Sequence, residues 1–111
     1  MSKVISANQF LYSVDDLIAM FNALLQKEME HELEFRKKVI DKGEPEHFNM
    51  CRGGVISVWV NVDRCLVAQD TEKAFKTEIE EAGWNIVEYK WIKDERTTLD
   101  QILIRVKPAN K

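Results

Sequence analysis

The residues that could do chemistry in this chain are few. Glu28-Met29-Glu30-His31 has the Glu-x-x-His spacing that sets a carboxylate and an imidazole on one helix face, as di-metal bundle sites require. Glu44-Pro45-Glu46-His47 repeats the spacing, but Pro45 falls past the end of the helix that precedes it, so the geometry is not reproduced. No second helix offers the remaining ligands, and the first segment reads as a solvated helical face. No metal and no cofactor are expected.

His47 and Cys51 could pair as base and nucleophile, yet nothing nearby in sequence supplies an orienting third group or an oxyanion hole. Arg52-Gly53-Gly54 could offer backbone amides and a guanidinium to an anion. It lacks the spacing and the lysine of a P-loop, and the glycines are accounted for if they only turn the chain into the strand that follows. The sequence therefore argues against catalysis and for recognition.

The strand that must position any recognition site is residues 55–62. Ile56, Val58, Val60 and Val62 fall on one side of it and Ser57, Trp59 and Asn61 on the other, because side chains alternate with period two. One side is core and the other half polar, which describes a sheet covered on one face only. An indole between Ser57 and Asn61 is either roofed by a loop or subunit or held out for a partner.

The rest of the chain is built around that strand. Residues 1–12 form an arm or a short edge strand. Residues 14–42 form a long helix, with Ser13 as its cap, Asp15 and Asp16 at the positive end of the dipole, and Tyr12 packing on Leu17. Gly43 and Pro45 stop it. Twenty-nine residues span about 43 Å at 1.5 Å each, more than the diameter of about 34 Å expected of a compact chain this size. The helix must break or overhang. Leu17, Ile18, Phe21, Leu24 and Leu25 make a wide apolar stripe in its first half, whereas Leu25, Met29, Leu33 and Ile40 make only a seam beyond, suited to a homodimer contact.

Residues 43–54 form a long loop carrying His47, Cys51 and Arg52. Asp70 or Thr71 is expected to cap a second helix, with Phe75 and Ile79 as its core stripe, Gly83 as its stop and Trp84 packed against its end. Residues 85–93 alternate as a strand with Val87, Tyr89 and Trp91 on one side. A final strand carries Ile102, Ile104 and Val106 on one face and Leu103, Arg105 and Lys107 on the other. The fold class is α+β: a two-layer α/β sandwich in one domain, residues 1–111, with a long N-terminal helix, then β-α-β-β over residues 55–107. It has at least three strands, with both helices on one face of the sheet.

Composition bounds the partners. With 45% hydrophobic and 32% charged residues the chain is ordinarily globular, and a net charge of -3 makes it mildly acidic, the wrong sign for coating nucleic acid. No apolar run reaches a membrane span and no leader is evident, so a cytoplasmic protein is expected, with Cys51 and Cys65 as reduced thiols. The expected function is a non-catalytic binding or regulatory protein, dimeric, that recognises another protein through the open sheet face and the 43–54 loop. Trp59, Arg105, Arg52 and His47 would make the contacts, joined by Tyr89 and Trp91 if that side of their strand faces outward. The alternative is a small anionic, nucleotide-like ligand, or a small enzyme acting on one, in a pocket between Arg52, His47, Trp59 and Arg105.

Overall fold

A computed structural model describes residues 4–42, 54–93, 95–96 and 99–109. The 43–54 loop with His47, Cys51 and Arg52 therefore lies, but for Gly54, outside the described residues, as do Gly43 and Pro45, the expected stops of the long helix. Residues 4–12 hold no strand. The arm makes one 3-10 turn, Ala7–Gln9, and is tied down where the Tyr12 amide donates to the Leu66 carbonyl at 3.0 Å.

Helix α1, Val14–Lys42, begins on a reciprocal cap. The Asp16 amide donates to Ser13 Oγ at 3.1 Å, and the Ser13 amide donates to Asp16 Oδ2 at 3.0 Å. Two of the four amides that a helix start leaves unpaired are thereby satisfied. Tyr12 packs part-buried against the core cluster that contains Leu17, as the apolar residue before a cap should. The helix runs without a break for 29 residues.

Three strands follow among the described residues: β1, Ile56–Val62; β2, Trp84–Lys93; and β3, Asp100–Pro108. Their order is β1-β3-β2 with β3 antiparallel to both neighbours, so the strand last in sequence is central. Helix α2, Gln69–Glu81, connects β1 to β2. It starts earlier than its carboxylates suggest: Ala68 is the N-cap and makes no side-chain cap bond. Asp70 and Thr71 instead occupy the first turn. The turn before it, Arg64–Leu66, takes the side-chain cap, with Asp63 Oδ1 accepting from the Cys65 amide at 3.0 Å. That turn feeds extended residues directly into the helix.

Both helices lie on one face of the sheet. Leu17, Phe21 and Leu25 of α1 and Phe75 and Ile79 of α2 form one buried cluster with Val58, Val60, Val62, Ile102, Ile104 and Val106. Phe21 and Phe75 join the helices edge to face, centroids 5.8 Å apart. Each such side chain contributes about 1.5–3 kcal/mol by leaving water. The result is the two-layer α+β arrangement that the alternation implies. No helix among the described residues is long and apolar enough to cross a membrane.

One strand departs from simple alternation. β2 pairs Ile86 with Val106 but Glu88 with Arg105, so Val87 is an extra residue in a β-bulge. The bulge advances the phase by one. Trp84 and Ile86 before it and Tyr89 and Trp91 after it all pack on the helix-covered side. Val87 is exposed and does not share a face with Tyr89 and Trp91.

Candidate functional site: the open face of the sheet

Register places three rows of side chains on the face opposite the helices. Ser57, Arg105 and Glu88 form the first, Trp59, Leu103 and Lys90 the second, and Asn61, Gln101 and Ile92 the third. Each row crosses β1, β3 and β2 in that order, because cross-strand partners on one face stand side by side. Leu103 occupies the centre and is only 2% exposed, although it lies outside the main core cluster. Beside it Trp59 is 44% exposed.

Charge surrounds this apolar centre. Arg105 Nε lies 3.4 Å from Glu88 Oε1, and Lys90 Nζ lies 3.4 Å from Glu88 Oε2, so one carboxylate holds two cations. The Arg105 Nε contact is an ion contact and not a directed hydrogen bond, for that nitrogen is buried without a hydrogen-bond acceptor. Half-exposed pairs of this kind contribute little to stability and leave their charges able to exchange partners. In the third row Gln101 Nε2 donates to Asn61 Oδ1 at 2.9 Å, which fixes the amides as a polar edge.

Of the residues singled out from sequence, Trp59 and Arg105 are brought together on this face. Tyr89 and Trp91 are not, because the bulge at Val87 turns both toward α2. There Tyr89 Oη donates to Glu72 Oε2 at 2.7 Å and Trp91 Nε1 donates to the same oxygen at 2.6 Å. Lys76 Nζ sits 4.1 Å from the Tyr89 ring centroid and the Arg64 guanidinium 5.3 Å from that of Trp91. Both rings thus have their polar tips and their faces engaged by the protein itself. His47 and Arg52 lie outside the described residues, and so does the pocket expected between them and Trp59.

Sequence reasoning passed over Leu103, Glu88 and Lys90. Their signal was the position of β3 between β1 and β2, which makes Leu103 a central residue, and that order is not written in the local pattern. No group of three or more potential metal ligands is clustered among the described residues. Cys65 is a free, exposed thiol. The chain matches no family model, and no curated protein or solved structure is significantly similar to it.

Proposed function

We propose that this is a non-catalytic binding protein that recognises another protein through the open face of its sheet and the 43–54 loop. The observation that carries the proposal is the pairing of a half-exposed Trp59 with a buried Leu103 at the centre of a face that neither helix covers. An aromatic anchor on an apolar centre, rimmed by an arginine and by amides, is the usual anatomy of a protein interface. A regulatory or accessory role in the cytoplasm fits a small recognition domain of this kind.

The test is retention of a partner from cell extract on immobilised protein, comparing wild type with Trp59→Ala and Arg105→Ala. A specific partner should be retained by wild type and lost with Trp59→Ala, since truncating a central aromatic anchor costs about 2 kcal/mol or more, or about thirtyfold in affinity. Both variants should melt as cooperatively as wild type. An identical set of retained proteins for all three would remove the sheet face from consideration.

A further inference from the structure

The second half of α1 carries a pattern that the fold uses only in part, through Met29, which packs part-buried against the core. Beyond Leu25 no side chain of the helix whose burial is described is buried. Met29, Leu33, Arg36 and Ile40 follow one another at spacings of four, three and four, which lines them up on one side of a helix. Leu33 is 55% and Ile40 73% exposed. Glu28, Glu30, Glu32 and Glu34 precede the middle of this stretch, and Arg36, Lys37 and Lys38 follow it. Among the described residues none of these seven is ion-paired. The helix therefore carries an acidic block, then a basic block, beside a stripe that is apolar but for Arg36.

We infer that the occupant of this stripe is a second copy of the chain, with its α1 running antiparallel. A helix with a negative half followed by a positive half is complementary to itself when reversed. The stripe then closes in layers, with Met29 against Ile40 of the partner copy and Leu33 against Arg36 of the partner copy. Glu30 comes beside Lys37 of the partner copy at the flank, twice by symmetry. A parallel pair would instead set Arg36 against its own counterpart in the middle of the seam.

The end of the sheet supplies a receptor for the same contact. A cleft of about 180 Å³ lies between α1 and the strand ends, lined by Met29, Leu33, Ile56, Trp84 and Pro108 together with the charged Glu32 and Arg36. A dry cavity of similar volume accepts a benzene-sized group. Ile40 of the partner copy, facing Met29, is the side chain that fits it. The dimer surface is distinct from the sheet face around Trp59, so the two can be occupied at once.

Light scattering over a range of protein concentrations tests this. Wild type should pass from monomer to dimer, and 0.5 M salt should weaken the dimer because the flanking pairs are exposed. Ile40→Asp, a change at an exposed position, should weaken it by at least about tenfold. Glu30→Lys and Lys37→Glu should each weaken it, and the double variant Glu30→Lys/Lys37→Glu should restore it. Trp59→Ala should leave the mass unchanged, which separates this surface from the recognition face. A wild-type chain that stays monomeric throughout, or a dimer indifferent to Ile40→Asp, overturns the inference. Failure of the double charge exchange to restore the dimer overturns the antiparallel arrangement.

Discussion

A single carboxylate oxygen governs how the second helix meets the sheet. Glu72 lies on the same helical stripe as Phe75 and Ile79, three and seven residues before them, so it points inward and must be satisfied there. Tyr89 and Trp91 satisfy it from β2. Burial pushes the Tyr89 phenol above its ordinary value of 10.0, and the hydrogen bond to Glu72 and the Glu72 charge push it further. Below about pH 10 the phenol is protonated in both folded and unfolded chains, and its contribution to stability is fully present. Above that the unfolded chain loses the proton first, which favours unfolding and lowers stability as pH rises. Tyr89→Phe should therefore be less stable than wild type at pH 7 by about 1 kcal/mol, and the gap should close above pH 10. Urea unfolding of both proteins at pH 7, 9 and 10.5 measures it. That Glu72 would be inside was legible from its spacing to Phe75. Its partners were not, because they lie 17 and 19 residues away on a strand whose phase shifts at the Val87 bulge.

Elements were legible where local chemistry alone decides them. The Ser13 cap and the stop of α2 at Gly83 both follow from residues within one turn of the feature. Gly83 has φ +98°, its amide donates to the Glu80 carbonyl at 3.1 Å, and its carbonyl accepts from Ala109 at 2.9 Å. A Cβ at this position would meet nothing within 4 Å, so the whole cost of Gly83→Ala is backbone strain. The variant should lose about 1–2 kcal/mol, read as a lower urea midpoint with an unchanged slope. Where tertiary packing decides, the local pattern misleads. In β2, Trp84 and Ile86 call for one phase and Tyr89 and Trp91 for the other. Strict alternation can honour only one pair, whereas the bulge at Val87 brings all four rings and branches onto the helices. Four apolar residues with a three-residue step between Ile86 and Tyr89 were the available signal for that irregularity.

The molecule as a whole is extended. Its radius of gyration is 17.5 Å and its extents are 68 × 37 × 19 Å, against a radius of about 13 Å for a compact chain of this length. The mismatch between helix length and core size was visible in the sequence, but whether the helix would break or overhang was not, since both satisfy the same pattern. Continuity of α1 settles it in favour of the overhang and divides the helix energetically. Residues 17–25 are held by burial of Leu17, Phe21 and Leu25. Beyond them Met29 is only part-buried against the core while Leu33 and Ile40 are exposed, so that stretch leans mainly on helix propensity, too little to hold an isolated helix of that length firmly in water. Amide hydrogen exchange in dilute solution should therefore be slower in 17–25 than in 29–40 by about two orders of magnitude or more. Raising the protein concentration should leave the first segment unchanged and slow exchange in the second if a second copy occupies the stripe, because a partner that binds only the helical form stabilises it by mass action. Equal protection in both segments at every dilution would mean that the overhang is held by contacts of its own chain, and the division of the helix drawn from burial would be wrong.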